Sequence, residues 1–301
     1  MDEDKKWTNL TRAEISLLLA KKGFKVSRNI VRKLLKKNGY VKRKPLKNKA
    51  GGGHVDRNAQ FERIAELRAT YDAEGNPIIS VDTKKKEAIG NLSREGKIYT
   101  TETIEVFDHD FPSLAEGVAI PHTVYDIKRN EAYVSIGTSR DTSEFCCDSI
   151  RNWWYNYGVL NYPLATSILM LMDGGGSNSS RHYIFKEDLQ ALADDIGVKI
   201  RIAHYPPYTS KWNPVEHKVF PHITRALQGM VLTSHQLTKE LTEKATTKAG
   251  LKVIACIFNK IYEIGRKVAE GFKESMKIVF DKHLKQWNYV AIPQPTILDI
   301  D

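Results

Sequence analysis

Cysteine is scarce in this chain: Cys146 and Cys147 are adjacent and Cys256 is remote, a spacing that fits neither a zinc site nor a disulfide framework. The three are read as reduced packing residues. Long apolar runs are missing as well. The longest, such as Ile168 to Met172, fall far short of the roughly 20 residues a membrane-spanning helix needs. The opening M-D-E-D-K-K lacks the apolar core of a secretion signal. A cytoplasmic protein without a membrane partner is expected. Acidic excess is also absent, and the net charge of +10 is unevenly placed. Residues 1 to 50 hold sixteen Lys and Arg against four Asp and Glu, a balance of +12 that leaves −2 for the rest. Basicity confined to one end points to a segment built to meet a polyanion, although a merely solvated basic face would give the same count.

What is present supports a substantial core, since 41% of 301 residues are hydrophobic. Thr11-Arg-Ala-Glu14 reads as a capping box, with Ile15, Leu18 and Leu19 at helical spacing up to Lys22-Gly23. Ser27 starts a second helix in which Ile30, Val31, Leu34 and Leu35 form a buried stripe and Gly39 marks the stop. Arg28, Asn29, Arg32, Lys33, Lys36 and Lys37 then project outward, and the pair resembles a helix-turn-helix with its second helix placed for a DNA major groove. Residues 41 to 53 have linker composition. A helix capped by Asp56 follows, with Phe61, Ile64, Leu67 and Tyr71 on one side, ending at Glu74-Gly75-Asn76-Pro77.

From Ile78 the hydrophobic period changes. Strands are predicted at Ile78 to Asp82, Lys97 to Thr101 and Ala132 to Gly137. A helix from Thr142 to Tyr157 packs Phe145, Ile150, Trp153 and Trp154, with base stacking by the tryptophans the less favoured reading. A strand from Ser167 to Met172 ends at Asp173 and three glycines. A helix over Tyr183 to Ile196, a strand over Val198 to Ala203 and a proline loop lead to Asn213-Pro214-Val215-Glu216, and from Ser234 the chain reads as helical through Lys282. The order gives a mixed sheet flanked by helices.

Asn213 and Pro214 fix a helix start that puts Glu216 in its first turn. Glu216 can close back on Asn213 as a capping box, or it can join Asp82 and Asp173 at neighbouring strand ends. Adjacent strands lie about 5 Å apart, so three such acids can converge. At about 4 Å and an effective dielectric near 20, each like-charge pair costs roughly 4 kcal/mol, so convergence calls for a cation or raised pKa values. Hard oxygen ligands without nearby His or Cys favour Mg²⁺ or Mn²⁺, and two such ions serve in-line attack on phosphorus. The three glycines would let a phosphate backbone approach, or simply make a tight turn. Lys84, Lys85 and Lys86 beside Asp82 would hold the scissile strand, or form a solvated run.

The segments I-I-S-V-D-T-K-K-K-E, M-D-G-G-G-S-N-S-S-R and Y-P-P-Y-T-S-K-W-N-P-V-E-H resemble the three signatures of DDE transposases of bacterial insertion sequences, of the Azo-thirteen type within the mariner-like superfamily. H-V-D-R-N-A-Q-F, A-I-P-H-T-V-Y-D, D-T-S-E-F, S-I-R-N-W-W and W-N-Y extend the resemblance over nearly the whole chain. It implies an α/β fold: an RNase H-like mixed sheet flanked by helices, with a small all-α helix-turn-helix module ahead of it. It implies metal ligands at Asp82, Asp173 and Glu216, two Mg²⁺ or Mn²⁺ ions, cleavage and joining of DNA at element ends, and synapsis as a homodimer. The expected division is a DNA-binding module at 1–40, linker and connecting helix at 41–76, catalytic domain at 77–232 and a helical extension at 233–301. Family members begin upstream of this helical pair, so part of the terminal-repeat-binding region is expected to be missing, and residues 252 to 286 match poorly. A catalytically silent DNA-binding regulator and a structure-specific nuclease on the same fold stay open as alternatives.

Overall fold

In a computed structural model that describes residues 6–43, 54–175 and 182–294, the chain divides into two units, Met1–Lys49 and Ala50–Asp301. Most of the expected linker, Gly176 and the S-N-S-S-R run after it lie outside the described residues.

The first unit is a pair of helices, α1 (Arg12–Lys21) and α2 (Arg28–Lys37). The predicted capping box forms, Glu14 N–H donating to Thr11 Oγ1 at 3.3 Å and Thr11 N–H to Glu14 Oε2 at 2.6 Å. Ser27 caps α2 through Ile30 N–H, and Gly39 supplies the left-handed turn after it. The predicted stripe is only partly enclosed: Val31 is buried, whereas Ile30 and Leu34 are exposed. Two ten-residue helices share a single seam, and only a residue within that seam is shielded.

The second unit is built on one sheet with spatial order β7-β4-β3-β1-β5-β6-β9-β8 and β2 paired to β3. The strands are β1 (Ile78–Thr83), β2 (Glu87–Ile89), β3 (Gly117–Asp126), β4 (Glu131–Gly137), β5 (Ser167–Asp173), β6 (Lys199–Tyr205), β7 (Lys252–Phe258), β8 (Ile278–Phe280) and β9 (Asn288–Ala291). β1, β5 and β6 run parallel, with β3 antiparallel to β1 and β4. The helices are α3 (Arg57–Ala73), α4 (Ser143–Trp153), which runs on through a wide turn at Trp154–Gly158 into α5 (Val159–Asn161), α6 (Tyr183–Ile196), α7 (Pro214–Lys218), α8 (Phe220–Leu227), α9 (His235–Glu243) and α10 (Phe272–Ser275). One face of the sheet packs Ile79, Val81, Met170 and Met172 against Ile150, Trp153, Phe185 and Leu189. The other packs Leu169, Leu171 and Tyr205 against Ile64, Leu67 and Tyr71. Trp153 and Trp154 are core residues, which settles the packing reading for both. This is the expected mixed sheet flanked by helices.

Two expectations about elements fail, and one strand was not foreseen. Lys97 to Thr101 forms no strand: the segment is exposed and unpaired, and the partner of β1 is β3 instead. Pro121 concealed β3. It lies opposite Lys84, one step beyond β1, where Lys84 N–H donates to Pro121 O at 2.9 Å and only the reciprocal bond at the ladder's end goes unmade. The C-terminal region is not helical through Lys282. Lys252–Phe258 is a β-branched run that extends the sheet parallel to β4, and β8 and β9 add two strands beyond β6. Three strands after residue 233, β7, β8 and β9, therefore belong to the same sheet as the strands of the expected catalytic domain.

Candidate active site at the carboxyl ends of β1 and β5

In β1, alternate side chains turn to opposite faces, so Ile79 and Val81 enter the core while Ser80 and Asp82 turn the other way. Val81 is paired in parallel register with Met172, which sets Asp82 beside Asp173 at the carboxyl ends of the two central strands. Ligands of open α/β sheets bind outside such ends.

The third acid arrives on α7, whose first residue is Pro214. Asn213 does not cap this helix with its side chain. Ser80 does so from the neighbouring strand: its Oγ accepts Val215 N–H at 3.0 Å and donates to Asn213 Oδ1 at 2.5 Å. Asn213 Nδ2 donates in turn to Val81 O at 3.3 Å. Ser80 and Asn213 are fully buried, so this link ties the strand that bears Asp82 to the helix that bears Glu216. The capping-box reading of Glu216 is overturned, because Asn213 N–H is taken by Ser210 O at 2.7 Å.

Electrostatics record the convergence. Burial and then the charge of Asp173 push Asp82 up to about 8; Glu216 adds its charge and a side-chain hydrogen bond, against the lowering effect of Thr83 N–H. Asp173 is pushed up to about 6 by burial and by Glu216. Its Oδ1 is buried without a hydrogen-bond partner, as is the hydroxyl of Thr123, the register partner of Asp82. Among the described residues no three His, Cys, Asp or Glu are drawn together tightly enough to hold an ion as they stand. Acid oxygens alone, one of them orphaned, suit a hard divalent cation. Around them, His204 links the sheet by contacting Asp173 O at 3.0 Å and the Tyr289 hydroxyl at 2.9 Å. Gln60 and Asn288 exchange amide hydrogen bonds of 3.1 and 2.6 Å beneath it.

The lysine run divides. Lys85 and Lys86 are exposed, but Lys84 is buried against Glu87, which also binds Arg94 at 3.0 Å. Lys84 is thus withdrawn from the role expected of it in holding DNA. Arg28, Asn29, Arg32, Lys33 and Lys36 are all exposed on α2. Gly175 stands in open space, so packing does not require glycine there. Sequence reasoning missed Ser80. The only signal was a small polar residue inside a β-branched run, two positions before Asp82.

The strand order, with acids at the ends of its central parallel strands, defines the class: a mixed α/β sheet domain with an acidic cluster at the carboxyl edge of its central strands. The chain matches the Rhodopirellula transposase DDE domain family over residues 1–293. It belongs to that family of DNA transposases. No curated protein matches it. Among solved structures, it is similar to a pre-cleavage Mos1 transpososome at 13% identity, covering 80% of this chain and 72% of that one with a TM-score of 0.45. It is also similar to the mariner Mos1 paired-end complexes with Mg (13% identity, 80% and 73% covered, TM-score 0.46) and with Mn (14%, 79% and 72%, TM-score 0.45).

Proposed function

We propose that Asp82, Asp173 and Glu216 form the catalytic centre of this transposase and bind two Mg²⁺ or Mn²⁺ ions, and that the centre cleaves a DNA phosphodiester at an element end and joins the freed 3′-hydroxyl to target DNA. The observation that carries the reading is the three-way electrostatic coupling of acids far apart in sequence, with a buried Asp173 oxygen left unpartnered. When bound, the divalent ions supply activation of the attacking oxygen and stabilisation of the departing one. The chain's own residues do the positioning. Asp82 and Asp173 present carboxylates from adjacent strands, Glu216 closes the set from α7, and the Ser80–Asn213 link holds that helix to β1. Lys85 and Lys86 flank the scissile strand. The exposed basic face of α2, with Arg28, Asn29, Arg32, Lys33 and Lys36, recognises the element end, and two copies of the chain pair two ends in the bacterial nucleoid. The test is cleavage and strand transfer of end-containing oligonucleotides in Mg²⁺. Wild type is active, and Asp82→Asn, Asp173→Asn and Glu216→Gln each lose activity; retained activity in any one of them overturns the assignment.

A further inference from the structure

The loop between β6 and α7 carries a feature that the acids do not explain. It begins directly after Tyr205, the register partner of Asp173, and ends at the helix that bears Glu216. Its backbone is braced from within: Thr209, itself buried, donates its hydroxyl to Pro206 O at 2.5 Å, and Trp212 N–H donates to Thr209 O at 2.8 Å. On this fixed frame two aromatic rings face outward, Tyr208 at 73% exposure and Trp212 at 52%. Trp212 is supported from below by Phe61, edge to face with centroids 6.0 Å apart, and the Lys211 ammonium lies 5.5 Å from its ring centroid. Tyr208 has φ +63°, a left-handed conformation that a bulky side chain seldom adopts. Backbone strain of this kind gathers at ligand clamps and active sites.

We infer that Tyr208 and Trp212 form a stacking platform for unpaired bases of a DNA strand end, with Lys211 meeting the adjoining phosphate. The inference rests on the reading of Asp82, Asp173 and Glu216 as the reacting centre. Every base offers a π-face, so such a platform is indifferent to sequence. A fully paired duplex keeps those faces stacked inside. The ligand class is therefore DNA with unpaired terminal nucleotides, as at an end opened by strand cleavage.

The test uses the whole chain in metal-free buffer, where binding is read without chemistry. Three probes are compared by fluorescence anisotropy: a blunt duplex, the same duplex with a short single-stranded 3′ overhang, and that overhang built from abasic sites. The expected result is that Tyr208→Gly and Trp212→Ala each weaken binding of the base-bearing overhang roughly 10- to 100-fold while leaving the other two probes unchanged. Glycine accepts the positive φ, so Tyr208→Gly should melt at or above the wild-type temperature, which separates lost binding from lost folding. Trp212→Phe restores most of the affinity. Equal losses on all three probes, or none on the overhang, overturn the inference. Weakened self-association with unaltered overhang binding does so too, in favour of a protein contact. An Asp82→Asn chain that binds the overhang like wild type leaves the platform in place, and a wild-type chain that prefers the overhang yet never cleaves refutes the catalytic reading alone.

Discussion

Asp82 holds a proton in the folded chain over a pH range in which the unfolded chain has released it. Its ordinary value of 3.8 rises to about 8 and that of Asp173 to about 6, so the stability these groups contribute is complete below about 4 and lost as the pH rises through the folded values. The metal-free protein should therefore melt at a higher temperature at pH 5.5 than at pH 8. Asp82→Asn should flatten that dependence and raise the pH 8 melting temperature, and Asp173→Asn should not lower it. A wild-type melting temperature that climbs from pH 5.5 to 8 in chelator contradicts this. The acids were legible in the sequence because each sits where a strand or a helix turn is sharply bounded. Lys84 was not, because three consecutive lysines look alike until the fold turns one of them onto Glu87. Ser80 was illegible for the converse reason: its partners, Asn213 and Val215, are more than 130 positions away.

At the scale of elements, the geometry of the centre depends on α7 being held against β1. Ser80→Ala removes the hydroxyl that serves both Val215 N–H and Asn213 Oδ1, and leaves two buried polar groups unpaired. Each such loss costs about 1–3 kcal/mol, so a lowered melting temperature is expected. Misplacement of Glu216 should also weaken the apparent Mg²⁺ dependence of cleavage by about 10–100-fold, the range typical of residues that orient ligands. Ser80→Thr, which keeps the hydroxyl, should recover that dependence. A Ser80→Ala chain with lowered stability but wild-type Mg²⁺ dependence would confine the residue to folding. Elements whose burial follows their own period, such as α6 and β5, were readable in place. β3 was hidden by Pro121, and β7 to β9 were hidden because strands in the outer part of a sheet gain their stability from neighbours distant in sequence.

For the whole molecule, charge is partitioned as sharply as structure: +12 in residues 1 to 50 and −2 in the remainder, close to the boundary between the two units at Lys49. DNA affinity should then fall steeply with salt. With about six phosphates contacted, the slope of log K against log salt is near −5, and removing residues 1 to 49 should flatten most of it. A full-length chain with a flat response would deny the basic unit its role. That partition was plain from composition, whereas the class of fold came from the order of elements and from the resemblance; the meeting of three acids depends on strand register and on the placement of α7, which no single stretch of sequence displays.

That meeting is tested most directly by calorimetric titration of Mn²⁺ into the chain at pH 7, repeated in buffers of different ionisation enthalpy. The account predicts two ions per chain in wild type, with proton release as Asp82 gives up the proton it holds below about 8, and loss of at least one ion in Glu216→Gln. Wild-type and Glu216→Gln chains that bind the same number of ions with the same affinity would contradict it.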